Sequence, residues 1–177
     1  MSAGAVEEDF RRYFQRFTTG VAVVATTGEG EPMGMTVNSV ASLSLAPLLL
    51  LFCARNGSAT TARIVESGCF SVNLLTADQE SVSRHYAGAS QSGGTWTWGE
   101  AHGIPFLEGS NASFLCHLDR IYPGGDHRIL VGLIVGMRGP EVPLTPLLFH
   151  GGRYARLPLP GTDEPGERAH EDIWWVG

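Results

Sequence analysis

Apolar positions recur at helical spacing near the start of the chain. In EEDFRRYFQRF, residues 7–17, Phe10, Tyr13, Phe14 and Phe17 fall at i, i+3, i+4 and i+7. They form one helical face, and the leading acids suit the helix dipole. Gly20 ends this pattern. GVAVVATT, rich in β-branched residues, then predicts a strand, GEGEP a turn, and MGMTVNSVASLSL one returning strand with imperfect alternation. APLLLLFCA predicts a buried strand. Residues 58–66, SATTARIVE, predict a helix with Ser58 as N-cap. CFSVNLL predicts a strand, and DQESVSRHYA a short helix that begins at Asp78 or Thr76.

Residues 88–103 are rich in Gly, Ser and Trp and predict a long loop. SFLCHLDRIY and HRILVGLIVGMR, joined by PGGD, predict a long hairpin, and LLFHGGRYARL a short one around Gly151 and Gly152. Strands joined by hairpins are not the alternation of a doubly wound sheet. The fold class expected is mainly β: a closed antiparallel barrel with peripheral helices, since closure removes exposed edges. One domain over residues 1–157 accounts for these elements. Residues 158–177 form a C-terminal extension, in which Trp174 and Trp175 are expected to anchor by packing against the barrel or another subunit.

Composition narrows the function. Of 177 residues, 43% are hydrophobic, enough for a core, while only 17% are charged. The low charge fits a homo-oligomer that hides neutral surface, and equally a polar, Gly-rich surface. A net charge of -6 argues against nucleic-acid binding. Cys53, Cys69 and Cys116 are odd in number and form no CxxC pair, so neither a disulfide framework nor a zinc site is expected. The N-terminal MSAGAVEEDF lacks the apolar region of a signal peptide, and the longest apolar run, residues 46–54, is too short to span a bilayer. A cytoplasmic protein with no membrane partner is expected.

No GxGxxG opens a helix, and Walker, HExxH and GxSxG motifs are absent. The six histidines show no metal spacing, and His117, inside an apolar strand, is expected in the core or an interface. Three segments carry unexplained polarity. GMTVNSVASLSLAP places Thr36, Asn38, Ser39, Ser42 and Ser44 in an otherwise apolar strand. Those side chains suit either an edge facing water or a flat heterocycle with several donors and acceptors. In CARNGSATTAR, Ser58 either caps a helix or, with Thr60 and Arg55, holds a phosphate at its N-terminus. In GGDHRILVG, His127 is either structural or a contact for an amide or phosphate ligand.

Taken together, FRRYFQRFTTGVAVVAT, GMTVNS with its trailing SxSLAP, SVNLL followed by DQESVSRHYAG, the GGDH turn and LLFHGGRY are similar in order and spacing to the short-chain flavin reductases. These are the reductase components of two-component flavin-dependent monooxygenases. The likeness runs from about Phe10 to Leu157. It departs at Ala46-Pro47, where the family often has two prolines, and in the tail.

The resemblance implies a split β-barrel of the FMN-binding type, antiparallel and Greek-key-like, built as a homodimer. It implies that Thr36, Val37, Asn38 and Ser39 line the isoalloxazine, partly through backbone groups, with Ser42 near the same ring. Cys53, Ala54 and Arg55 would flank the flavin, with Ser58 and Thr60 at its phosphate. Arg84 and Tyr86 would hold the phosphate or ribityl side, Tyr154 would reach the cofactor pocket, and His127 would contact the nicotinamide nucleotide. The implied activity is hydride transfer from NADH or NADPH to exchangeable FAD or FMN, released in reduced form to a monooxygenase component. Both rings carry the hard chemistry, so the protein's part is orientation and no acid–base pair is required. An oxidase or deazaflavin-dependent reductase on a similar barrel, and a non-enzymatic flavin carrier or sensor, are the alternatives.

Overall fold

The computed structural model describes residues 3–89 and 94–157. In chain order they form α1 (Ala3–Phe14), β1 (Thr19–Gly20), β2 (Ala22–Thr26), β3 (Met33–Val37), β4 (Ala41–Leu45) and β5 (Leu48–Arg55). Next come α2 (Ala59–Ser67), β6 (Cys69–Leu74), α3 (Glu80–Tyr86), β7 (Trp98–Ala101) and β8 (Ile104–Leu107). Last are β9 (Ala112–Gly124), β10 (His127–Arg138), β11 (Leu147–His150) and β12 (Arg153–Arg156).

The main sheet has seven strands in the order β3-β2-β6-β9-β10-β5-β4, all paired antiparallel. The single strand expected over residues 33–45 is two strands on opposite edges of this sheet. Six interstrand spacings would hold the edges of a flat sheet about 29 Å apart. Yet β3 and β4 are joined by residues 38–40 alone, a link that reaches at most about 14 Å. The sheet must therefore curl until its edges approach. No ladder joins β3 to β4, so the closed barrel expected is not what the hydrogen bonds build. Across the gap, Ser39 Oγ accepts from the Cys53 N–H at 3.0 Å and donates to the Cys53 carbonyl at 3.2 Å.

β2 is buried along its whole length because both faces are covered, which explains its unbroken apolar run. Ala22 and Val24 face the main core of Phe52, Ile64, Phe70 and Leu130. Val21 and Val23 face a second cluster with Leu75, Val82, Leu107 and Leu147, beneath α3 and the small β1-β11-β12 sheet. Buried Asn73 ties the layers together. Its Nδ2 donates to the Val23 carbonyl at 2.9 Å, and its Oδ1 accepts from the Leu107 N–H at 2.9 Å.

The expected α2, the long β9-β10 hairpin and the β11-β12 hairpin are all present. Elsewhere the structure corrects the sequence reading. Part of the expected 88–103 loop is the β7 strand of a hairpin, turned at His102 and Gly103, both in the left-handed region. Gly99 is needed there, since a Cβ would lie 2.4 Å from the Phe106 ring. Neither Thr76 nor Asp78 caps α3. The Thr76 hydroxyl bonds the Asp78 carboxylate instead, and Gln79 takes the N-cap position, its side chain bonding the Thr76 N–H and the Glu108 carbonyl rather than capping the helix. His117 is exposed on β9 rather than in the core. The helix expected over residues 7–17 is instead Ala3–Phe14, so its first turn holds no acid and Phe17 lies beyond its end. Phe10, Tyr13, Phe14 and Phe17 all remain exposed. Trp174 and Trp175 lie outside the described residues.

Candidate active site

The gap between the sheet edges opens into a groove of ≈ 350 Å³. One wall is the end of β3 and the link after it, Thr36, Val37, Asn38 and Ser39. The other is the end of β5 with the α2 cap, Cys53, Ala54, Arg55 and Ser58, and His127 closes the end. Met35, which the sequence reading passed over, also lines it. Segments from three distant stretches of the chain thus meet because β3 and β5 border the split, while β10 pairs directly with β5 and sets His127 opposite Arg55.

The small hydroxyls around the groove already have partners. Thr36 donates to the Ser83 carbonyl at 2.6 Å. Ser39 bridges both backbone groups of Cys53. Ser58 accepts from the Thr61 N–H at 3.2 Å and donates to Met35 Sδ at 3.6 Å. Thr60 is buried, does not line the groove, and donates to the Gly34 carbonyl at 3.1 Å. These side chains shape the walls, and what they offer inward is backbone and apolar surface.

The groups left available are few. The Asn38 amide is exposed and bonds no protein atom among the described residues. The Arg55 guanidinium is exposed and forms no salt bridge there. The Arg55 N–H also points away from β10. Cys53 turns its N–H and carbonyl toward Ser39, and strand geometry repeats every two residues. On His127, Nδ1 lies 2.8 Å from Asp126 Oδ1, which leaves Nε2. The hydrogen bond from His127 is the main cause that holds the Asp126 carboxyl below its ordinary range.

Arg84, Tyr86 and Tyr154 are not on this groove. They gather where α3 packs against Tyr154 of β12, and this cluster meets the groove through Thr36 and Ser83. Arg84 pairs with Glu80 at 2.6 Å and lies over the Tyr154 ring at 4.9 Å. The Tyr154 hydroxyl is 2.8 Å from Ser83 Oγ. Tyr86 packs beside Trp96 and Trp98 and covers Gly34, and burial raises its pKa, which keeps the phenol neutral. Ser42 faces a second, mostly apolar groove of ≈ 860 Å³, bounded by Phe14, Phe17, Leu45, Leu49 and Met137. Asn38 and Ser39 border both grooves, so the two adjoin at the link between β3 and β4.

The signature of the flavin reductase like domain matches residues 14–158. The chain is 40% identical over 162 residues to an NADH-dependent FAD reductase of Streptomyces globisporus, covering 87% of each chain. It is 36% identical over 161 residues to the flavin-dependent monooxygenase reductase subunit HsaB of Mycobacterium tuberculosis, covering 89% of this chain and 86% of that one. Among solved structures, it superposes with a TM-score of 0.79 on the Streptomyces globisporus NADH:FAD oxidoreductase SgcE6 in complex with NAD and FAD fragments. There the identity is 36%, covering 92% of this chain and 99% of the other.

Proposed function

The chain belongs to the flavin reductase-like family, and from that premise we propose that the groove between β3 and β5 holds a flavin for reduction by NADH. The protein is a flavin reductase that passes reduced flavin to a partner oxygenase, the arrangement named for HsaB. The observation that carries this reading is the convergence of Thr36–Ser39, Cys53–Arg55, Ser58 and His127 on one groove.

The residues fit the cofactor. Met35, Val37 and Ala54 supply apolar wall for a flat ring. The Arg55 N–H and the Asn38 amide supply donors for its polar edge, where negative charge gathers on reduction. The Arg55 guanidinium is a forked cation for a phosphate. FAD is the favoured flavin, with FMN sharing the same contacts. When bound, the flavin accepts a hydride from the nicotinamide and takes its proton from solvent. The chain's residues orient the two rings at contact distance, with His127 on the nicotinamide nucleotide, and need supply no acid–base pair. An open groove with few charged contacts suits a cofactor that must leave after reduction.

The assembly proposed is a homodimer around a split barrel. The exposed aromatic face of α1 and the apolar groove beside Ser42 support it, since a lone chain would leave that surface in water. Three free thiols accord with a cytoplasmic site. The test is steady-state oxidation of NADH and NADPH with FAD and FMN supplied separately, alongside the mass in solution. Turnover with free flavin by a dimer is expected. Tight flavin binding without turnover would identify a carrier and overturn the proposal.

A further inference from the structure

Any role for the neighbours of His127 rests on the proposed function, which assigns the nicotinamide nucleotide to that side chain. Hydrogen bonds outside the groove converge on this residue. His127 Nδ1 is 2.8 Å from Asp126 Oδ1. An ionised carboxylate only accepts, so Nδ1 carries the proton. Nε2 bonds no protein atom among the described residues, and the ring lines the groove. The turn that carries Asp126 is itself held from behind. The Asn56 N–H donates to the Asp126 carbonyl at 3.0 Å, and Asn56 Nδ2 donates to the Gly125 carbonyl at 3.0 Å. These two bonds tie the β9-β10 turn to the turn between β5 and α2.

The Asp126 side chain is 85% exposed, and its bond and ion pair both go to His127. An ion pair so open to water adds little to stability. What it does add is direction, because it dictates which ring nitrogen holds the proton and which faces the groove.

We infer that Asp126 and Asn56 are positioning residues for the reaction. Asp126 fixes His127 as the Nδ1–H tautomer, with Nε2 as an acceptor for an N–H donor of the nicotinamide nucleotide, such as its carboxamide. Asn56 fixes the turn on which the pair stands. An Asn at 126 presents either an acceptor or a donor to Nδ1, so the tautomer is no longer dictated.

The test uses the full chain with FAD and compares wild type, D126N, D126E, H127Q and D126N/H127Q. Proton–nitrogen correlation spectra of the His127 ring read the tautomer, and initial rates read kcat and the KM for NADH. The expected wild-type tautomer is Nδ1–H. D126N loses it and raises the NADH KM about tenfold with kcat nearly unchanged, the pattern of weakened uniform binding. D126E recovers part of the loss, and D126N adds nothing in the H127Q background. A wild-type Nε2–H tautomer, or a ring protonated on both nitrogens under the assay conditions, overturns the inference. So does an unchanged KM in D126N, or a D126N effect that persists in the H127Q background. A wild-type chain that does not oxidise NADH overturns the parent reading instead, and the tautomer still reports on the Asp126–His127 link.

Discussion

Ser39 stands in for a strand opposite Cys53. β4 pairs with β5 as far as Leu51, and the next outward-facing backbone groups, those of Cys53, are met by one hydroxyl at 3.0 and 3.2 Å. The split in the sheet is thereby held at a fixed width, and the groove opens where backbone pairing has stopped. Removing the hydroxyl in S39A should cost about 1–2 kcal/mol, because two backbone groups lose their partner. That corresponds to a fall in Tm of about 2–4 °C per kcal/mol for a chain of this size. The KM for flavin should rise as well. S39T, which keeps the hydroxyl, should recover both. Thermal unfolding and flavin titration read the outcome, and an unchanged Tm and KM in S39A would remove Ser39 from this role.

Arg55 is the cation on the groove that forms no salt bridge among the described residues. If it meets the flavin phosphate, R55A should raise the KM for FMN by about 10-fold or more, the worth of a charge-assisted hydrogen bond. Riboflavin, which has no phosphate, should be affected far less. Equal losses with both flavins would show that Arg55 shapes the groove and does not bind phosphate.

The thiols should separate by reactivity. Burial pushes the Cys116 thiol up to about 12, so at pH 8 almost none of it is thiolate and alkylation should pass it by. Cys53, half-buried on the groove wall, should react, and bound flavin should protect it. Peptide mapping after alkylation with and without FAD checks both statements. The same shift bears on stability. Above the ordinary thiol range the unfolded chain releases the Cys116 proton and the folded chain keeps it. Stability should therefore fall as pH rises from about 9 toward about 12. C116A should lessen that fall at the expense of a small cavity.

Gly34 leaves room for the Tyr86 ring. A Cβ there would lie 3.0 Å from Tyr86 Cδ1 and 3.1 Å from the Val24 carbonyl. G34A should destabilise by about 1–3 kcal/mol as the ring is forced away from β3. Because Tyr86 packs beside Trp96 and Trp98, the tryptophan emission should change in the folded state too. Urea unfolding followed by fluorescence measures both effects.

Much of the fold was legible in the sequence because it is local. The Ser58 cap of α2 and the long hairpin before Arg138 are written in adjacent residues. The break between β3 and β4 was not. Asn38, Ser39 and Val40 contain no Gly or Pro to mark it, and the cause is the curl of a seven-stranded sheet with a bond to Cys53 fourteen residues away. The polarity of residues 36–44 marked the right region of the chain. Partners such as Ser83 and Cys53 are distant in sequence, however, so the pattern could not show that the hydroxylic Thr36 and Ser39 are already engaged. Asn56 and Asp126 look like ordinary turn residues until the two turns are seen to bond.

The central claim concerns one place, the groove between the end of β3 and the end of β5. A crystal structure of the chain with FAD tests it most directly. The isoalloxazine should lie between residues 36–39 and 53–55, with the Arg55 N–H and the Asn38 amide at its polar edge and His127 beside its open face. A ring found instead in the apolar groove beside Ser42, or against Tyr86 and Tyr154, would contradict the account.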